Sequence, residues 1–270
     1  MKTFNFKFVL CSFIILITLN SYAQGFQGKA VYMSKSKMTL GSWGARLSEG
    51  QKKQIQERLK NRLEKTYVLT FNNAESMFLE EEQIDAISGA TDSWGAYFSR
   101  GDQYKNIKDK KIIQAQEFYG KKFLVKDDLY KIDWKLGSET KKIGEYTCYK
   151  AKAFAPKEEI EWYNFSWSDL RKNSKKTTNT EENLKVIEAW YAPQIPVAQG
   201  PAEYWGLPGL ILEVSVDNTT LLCSEITINS KKQIVIKAPD KGKETTKKEY
   251  AATVQKKMLE MRNNRMRRSR

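Results

Sequence analysis

Histidine is absent from the 270 residues of this chain. It is the usual general base of Ser-His-Asp and Cys-His sites and a common ligand of zinc, copper and non-haem iron. Its absence excludes those sites in their usual forms and leaves chemistry that depends on carboxylates. We therefore expect no metal and no other cofactor, and the sequence favours a protein that is not an enzyme.

One long apolar run is present, from residue 8 to residue 19 at the N-terminus. A run of about 12 residues is short of the roughly 20 that span a bilayer, which argues against the alternative of a membrane anchor. Lys2 and Lys7 lie before or at its start and small residues precede Gln24, so residues 1–23 have the parts of a secretory signal. The sequence predicts cleavage after residue 23 and a periplasmic or otherwise exported location in a Gram-negative cell envelope.

Cysteine is scarce, with three residues in the chain, and only Cys148 and Cys223 lie beyond the predicted signal. An even pair in an exported protein can form a disulfide. The alternative is two buried thiols on separate strands, because a bridge requires that the two Cβ atoms face each other. Both interpretations stay open at the level of the sequence.

Acidic residues are too few to balance the basic ones, and the formal net charge is +14. Residues 231–270 hold fourteen Lys and Arg against four Asp and Glu, so the excess is concentrated at the C-terminal end. A basic tail on a nearly neutral domain is not typical of a nucleic-acid-binding fold, and we expect no nucleic-acid partner. Anionic lipid or polysaccharide is the partner class that such a tail predicts in an exported protein.

Alternating apolar residues predict a succession of short strands, and two helices are predicted beside them. Ser48 with Gln51, and Thr246 with Glu249, have the spacing of capping boxes and predict helix starts at these points. The expected strands are 30–34, 94–98, 103–107, 112–118, 123–125, 130–134, 146–154, 184–191, 210–216, 221–228 and 233–237.

No helical pattern between these strands is long enough for parallel crossovers, so the sheet is expected to be antiparallel. The predicted fold class is mainly β (α+β), with a single curved sheet of bowl or half-barrel shape in residues 24–240. An N-terminal helix is inserted into this domain. Residues 241–270 are expected to form an amphipathic helix and a basic tail.

The run Gly206-Leu207-Pro208-Gly209-Leu210-Ile211 predicts a tight turn that opens a strand. Pro208 fixes the φ angle of the second turn position, and Gly209 supplies the positive φ that a type II turn requires next. We therefore expect a structural role, and not a catalytic one, for the four turn residues Leu207, Pro208, Gly209 and Leu210.

This run also resembles the signature of the GLPGLI family of exported bacterial proteins. Further blocks follow the same order as in that family: IGEYTCYKA at 143–151, EAWY at 188–191, IPV at 195–197 and GP at 200–201. The resemblance is best between residues 130 and 216. It implies an exported envelope protein and no defined chemistry. The family is similar to the bowl-shaped N-terminal domain of one type of bacterial peptide-N-glycosidase, but nothing in this chain resembles the catalytic part of that enzyme.

Residues 193–209, here called the connection, form a Pro/Gly-rich link between two predicted strands. Long ordered loops in compact domains are uncommon and are often functional. The candidate ligand- or partner-binding residues are the aromatics at the two ends of the connection, Trp190, Tyr191, Tyr204 and Trp205. They could form a lip over an apolar pocket or a platform that stacks on sugars. The alternative is that they cover the open end of a curved sheet.

Carboxylates recur at 80–82, 127–128 and 158–159, and as the single residues Glu188, Glu203 and Glu213. A glycosidase requires two acids about 5–10 Å apart across a sugar. Solvated charge on loops and on the outward face of a sheet is the alternative.

The leading functional hypothesis is a non-enzymatic binding or accessory protein of the envelope. Its partner is expected to be an apolar or amphipathic ligand, or an outer-membrane protein such as a transporter. The competing hypothesis is a carboxylate-dependent hydrolase or a carbohydrate-binding module.

Overall fold

A computed structural model describes residues 26–37, 46–81, 100–165, 184–230 and 234–268. The predicted secretory signal and the strand expected at 94–98 lie outside these residues. The descriptions that follow apply to the described ranges.

Twelve strands form one open, mainly antiparallel sheet, which confirms the predicted mainly β fold. Their order across the sheet is β12-β6-β5-β4-β3-β2-β1-β11-β10-β9-β8-β7. The strands are β1 (Gln27–Ser36), β2 (Glu64–Asn72), β3 (Glu75–Glu80), β4 (Gln103–Asn106), β5 (Lys111–Phe118), β6 (Lys121–Asp128), β7 (Lys135–Ile143), β8 (Tyr146–Pro156), β9 (Leu184–Ala192), β10 (Leu210–Val216), β11 (Thr219–Ile228) and β12 (Lys243–Thr245). The helices are α1 (Glu49–Arg58), α2 (Lys60–Leu63), α3 (Lys157–Ile160) and α4 (Lys247–Arg268).

The sheet departs from the sequence prediction at its two outer strands. β12 pairs with β6 in parallel, because the C-terminal segment returns to the sheet along an edge strand. β7 is almost entirely exposed and polar, so the search for apolar alternation did not find it. Residues 130–134 and 234–237, both expected as strands, have no regular structure.

Both predicted capping boxes are present. The Gln51 backbone N–H donates to Ser48 Oγ at 3.3 Å, and the Ser48 N–H donates to Gln51 Oε1 at 2.9 Å. The Glu249 N–H donates to Thr246 Oγ1 at 3.2 Å, and the Thr246 N–H donates to Glu249 Oε2 at 3.0 Å. Each box supplies acceptors for N–H groups that a first helical turn leaves unpaired. None of the α1 side chains is buried, so α1 lies on the surface as expected.

The main core covers one face of the sheet, which we call the inner face. Tyr32, Leu69 and Phe71 of β1 and β2 are fully buried there, as are Ile187 of β9 and Leu212 of β10. Residues of the connection complete this core from above. A second cluster unites β5 and β6 with α4, and its buried members are Phe118, Phe123, Val125, Trp162, Tyr250, Val254 and Met258.

The structure contains no bond between Cys148 and Cys223, which are both free and buried. Cys148 lies on β8 and Cys223 on β11, with β9 and β10 between them. Strands in a sheet are about 4.8 Å apart, so three spacings exceed the limit of about 7 Å between bridged Cα atoms. The arrangement corresponds to the alternative of two buried thiols on separate strands.

Within the described ranges, no helix has both the length and the apolar character needed to cross a bilayer.

Candidate functional site

The connection leaves β9, crosses the inner face and contacts strands in the other half of the sheet. Lys105 Nζ on β4 donates to the carbonyl oxygens of Gly200 at 2.7 Å and Tyr204 at 3.2 Å. Gln199 Nε2 donates to the Asn72 carbonyl at 3.4 Å, at the end of β2. These bonds fasten the connection across the sheet.

A buried ion pair fastens the same segment a second time. Arg100, just before β4, donates to Glu203 Oε2, and the two side chains are 10 % and 3 % exposed. Gln103 Nε2 donates to the other carboxylate oxygen of Glu203 at 2.9 Å, and Arg100 also donates to Tyr163 Oη at 2.8 Å. Burial by itself would lower the pKa of Arg100, but Glu203 outweighs burial and holds that pKa above its usual range.

Lys105 is the second buried cation of this region and is completely enclosed. Burial lowers the pKa of its amine to about 7; the carboxylate of Glu203 opposes this shift and the charge of Arg100 adds to it. The amine bonds to carbonyl groups, whereas Glu203 is shared between Arg100 and Gln103. Near neutral pH the amine can therefore be held in its uncharged form.

The inner face of β3, β4 and β5 is polar where the connection covers it. Gln114 and Gln116 alternate with the apolar residues Ile112 and Phe118 on the buried face of β5. Six buried polar side-chain atoms have no hydrogen-bond partner among the described residues. Five of them lie in this region, and they are Ser76 Oγ, Gln103 Oε1, Gln114 Nε2, Gln116 Nε2 and Gln199 Oε1; the sixth is Trp162 Nε1. The sequence analysis missed this polar interior, although the alternation of glutamine with apolar residues in β5 is a visible signal of it.

The structure does not gather the four predicted aromatics around one pocket. Trp190 lies beneath lysine side chains, with its ring centroid 4.3 Å from Lys141 Nζ. Tyr204 is enclosed in the core, and Trp205 Nε1 donates to the Tyr130 carbonyl at 2.8 Å. Of the four, Tyr191 lines a recess. The other three contact neighbouring side chains or the backbone and do not line this recess.

The recess lies where β8 and β9 meet the start of the connection, and we call it the tyrosine recess. It is an open concavity of about 460 Å³ lined by Tyr149, Tyr191, Pro193 and Gln194. Tyr149 and Tyr191 are direct cross-strand partners, and their ring centroids are 6.2 Å apart at an angle of 36°. Tyr149 is 39 % exposed, whereas Tyr191 is 6 % exposed. Burial, followed by the neighbouring Tyr149, raises the pKa of Tyr191, so its phenol stays protonated at neutral pH.

Several of the candidate carboxylates form ion pairs with lysine side chains. Glu213 is 2.7 Å from Lys141, and Glu188 is 3.2 Å from Lys150. The acidic runs expected on loops lie at the ends of strands or in a short helix, where Glu80 of β3 pairs with Lys65, Asp128 of β6 with Lys111 and Glu159 of α3 with Lys247. These pairs hold strands and α4 in place. In the ranges that the structure describes, no group of three His, Cys, Asp or Glu side chains is close enough to hold a metal ion.

The turn at 207–210 differs from the type II turn that the sequence predicts. Leu210 N–H donates to the Ile195 carbonyl at 3.0 Å, and Gly209 N–H donates to the Leu207 carbonyl at 2.8 Å. Gly209 has a φ of +156°, far from the roughly +80° of a type II turn. The pairing with Ile195 replaces the bond that would close a β-turn. Glycine is still required, since a Cβ at this position would lie 2.3 Å from the Ala192 carbonyl oxygen.

The fold and the site define a mainly β protein whose open sheet is crossed on its inner face by an ordered connection. A family model described as "Protein of unknown function (Porph_ging)" matches residues 134–213, which is less than half of the chain. The match includes β7 to β9, the connection and the tyrosine recess. A comparison with curated proteins found no match.

Among solved structures, the chain is similar to two crystal forms of PNGF-II. One is 16 % identical over 86 % of this chain and 33 % of the other chain, with a TM-score of 0.47. The second is also 16 % identical, over 79 % of this chain and 29 % of the other, with a TM-score of 0.42. This chain therefore spans about a third of the length of the proteins that it matches.

Proposed function

We propose that this chain is an exported, non-enzymatic binding protein that uses the tyrosine recess to hold an amphipathic ligand. The observation that carries the proposal is the exposed Tyr149, paired across the strands with Tyr191 in an open concavity. The two ring faces offer apolar contact, while the phenol groups and the Gln194 amide offer hydrogen bonds at the rim. A ligand with one apolar face and one polar face matches this combination.

The positions of the acids support a role without catalysis. A glycosidase would need two acids on either side of a sugar, one of them able to give up a proton. Glu203 of the connection is buried and paired with Arg100, and Glu188 and Glu213 are paired with lysines. These carboxylates stabilise the fold through ion pairs, and the open tyrosine recess supports a binding role better.

Two variants of β8 test the recess. We expect Tyr149→Ala to weaken the binding of an amphipathic probe, anilinonaphthalene sulfonate, by about fivefold or more, because half of the aromatic surface is lost. Phe154→Ala is the matched control, since Phe154 is a 52 % exposed aromatic of the same strand that lies outside the recess. Fluorescence titration of both folded variants gives the two affinities. Equal binding by the two variants would contradict the proposal.

The export component has a separate test. Protein recovered from the envelope fraction is expected to have a mass that corresponds to cleavage after residue 23, because the first 23 residues have the parts of a secretory signal. Full-length protein in the cytoplasmic fraction would overturn export and would leave the recess proposal unaffected.

Carbohydrate binding is the second candidate, and the same exposed ring favours it. A sugar ring stacks on an aromatic face, and the Gln194 amide beside Tyr191 can bond to hydroxyl groups. Titration with neutral oligosaccharides separates the candidates. Saturable binding of an oligosaccharide that Tyr149→Ala abolishes, without binding of the amphipathic probe, would replace the leading proposal with this one.

A further inference from the structure

The C-terminal part of α4 extends past the hairpin that joins β5 to β6. The Lys247 N–H donates to Asp127 Oδ2 at 2.9 Å, which places the helix start at the far end of β6. Three residues later, the Tyr250 ring meets Phe123, with the centroids 5.3 Å apart. α4 therefore runs antiparallel to β6, towards the turn at residues 119–120. Residues 262–268 continue about 10 Å beyond the docked turns, at 1.5 Å per residue.

Positive side chains from two separate parts of the chain lie towards this end of the molecule. Lys121 and Lys122 follow the hairpin turn and are exposed, as are Arg262, Arg265 and Arg267 of α4. We call these five residues the basic tip. The sequence analysis located the arginine run but not the hairpin lysines, which are about 140 residues away along the chain.

Acidic side chains only partly offset this charge. Glu117 lies opposite Lys122 in the β5–β6 register, and Glu260 Oε2 is 3.8 Å from Lys257 Nζ. Lys256 adds another exposed cation on the same helix. Among the described residues at this end, the exposed lysine and arginine side chains outnumber the acidic ones.

The basic tip has no apolar face for insertion into a bilayer. The apolar stripe of α4, formed by Tyr250, Val254 and Met258, is buried against the sheet. At 100° per residue, Arg262, Arg265 and Arg267 point to different sides of the helix axis. A helix that lies in a membrane interface needs a continuous apolar face opposite its charges. Charge on several sides instead fits a flexible chain that can pass around the helix.

We propose that the basic tip binds an anionic polysaccharide that carries carboxylates on successive sugars. A guanidinium can bind a carboxylate through two parallel hydrogen bonds, which a point charge does not provide, and Arg265 and Arg267 are both exposed. The hairpin lysines extend the surface by two cations, so one chain can contact the hairpin and the helix together. The proposal is independent of the tyrosine recess and goes beyond the function proposed above.

Titration of the full chain with polygalacturonate tests the basic tip. We expect binding at low salt that weakens about tenfold or more as salt increases to 0.3 M, because screening shortens the reach of the charges. Substitution of Arg262, Arg265 and Arg267 by Gln is expected to weaken binding at low salt by about tenfold or more, and Lys121→Gln with Lys122→Gln by about threefold or more. The matched control replaces the exposed Lys29, Lys108 and Lys131 by Gln.

The control removes the same net charge at other places, so it should bind within about twofold of the natural chain if position matters. Equal losses in the arginine variant and the control would overturn the proposal, since net charge alone would then explain binding. Binding to neutral dextran with similar strength would also overturn it. Sedimentation with vesicles that contain anionic phospholipid, without binding to polygalacturonate, would assign the basic tip to a membrane surface instead. Unfolding midpoints of all variants confirm that each is folded.

Discussion

Three charged side chains lie where the connection crosses the sheet, and their charges do not cancel. Glu203 forms an ion pair with Arg100, so a protonated Lys105 would leave one net positive charge in the interior. Burying an unpaired charge is costly, and the protein can avoid the cost by releasing a proton. The low pKa of Lys105, about 7, is the consequence.

We expect Lys105 to make stability increase with pH between about 7 and 10. The unfolded chain holds this proton up to the ordinary lysine pKa of 10.5, while the folded chain releases it near 7. The unfolded state then binds more protons, so the free energy of unfolding rises with pH by about 1 kcal/mol per unit in this window. Urea unfolding at several pH values measures the slope.

The Lys105→Met variant isolates this effect. This variant loses two hydrogen bonds, which lowers its free energy of unfolding by an amount that does not depend on pH. It also loses the titrating amine and therefore the rise of stability with pH. Burial is the chief cause that raises the pKa of Cys148 to about 11 and that of Cys223 to about 12. Both thiols titrate in both proteins, so their contributions cancel when the two slopes are subtracted. The same slope in both proteins would show that Lys105 is protonated in the folded state.

Gly209 provides a second test at the scale of one residue. We expect Gly209→Ala to lower the free energy of unfolding by about 2 kcal/mol or more, since the new Cβ would approach the Ala192 backbone and must displace it. Gly144→Ala is the control, because Gly144 also has a positive φ, of +58°, but nothing lies within 4 Å of its Cβ position. Equal losses would mean that the φ angle, and not the close approach, requires glycine at 209.

At the scale of elements, α4 closes one end of the inner face. Its apolar residues Tyr250, Val254 and Met258 follow the helical period that the sequence displays, and all three are buried. The partner surface combines Phe118, Phe123 and Trp162, which no local pattern connects. The helix was therefore predictable, and the place where it docks was not.

The docking of α4 can be measured with one methionine. We expect Met258→Ala, at a fully buried position, to destabilise the protein by about 2–4 kcal/mol through the cavity that it leaves. Met33→Ala is the control, because Met33 is 57 % exposed and its truncation should change stability by less than about 0.5 kcal/mol. Thermal unfolding compares the two variants. A small effect at Met258 would show that α4 contributes little to the fold.

At the scale of the whole molecule, strand order decides which distant residues meet. Consecutive strands pair in most of the sheet, but β1 lies between β2 and β11 and links the two halves. The same order puts β9 and β10 between the two cysteines, and it brings the connection over β4, where Arg100 meets Glu203.

The strand order also makes a prediction about the cysteines. We expect two titratable thiols per mature chain after denaturation without reductant, because β9 and β10 separate the two residues. In the folded protein both should react slowly, since burial raises their pKa values. Thiol counting with a chromogenic disulfide measures both states. No thiols in the denatured protein would mean that the sheet brings the cysteines together after all.

The sequence by itself determined those features that depend on neighbouring residues. Ser48 with Gln51, and Thr246 with Glu249, start helices because a side chain three positions away satisfies the first N–H groups. The strand Leu210–Val216 was predicted at its observed bounds, since alternation over seven residues requires no distant partner. The antiparallel, mainly β class also followed from the absence of crossover helices.

Only the tertiary structure decided the features that join distant segments. Three contacts depend on strand order and register, because the residues that make them lie far apart along the chain. They are Arg100 with Glu203, Lys105 with Gly200, and Tyr149 with Tyr191. β7 pairs through its backbone while its side chains stay polar, so it carries no apolar signal. At 207–210, a long-range bond to Ile195 replaced the local turn that the residues prefer. The physical reason is the same in each case: backbone and buried polar groups take the partner that the fold provides, and the local sequence does not specify that partner.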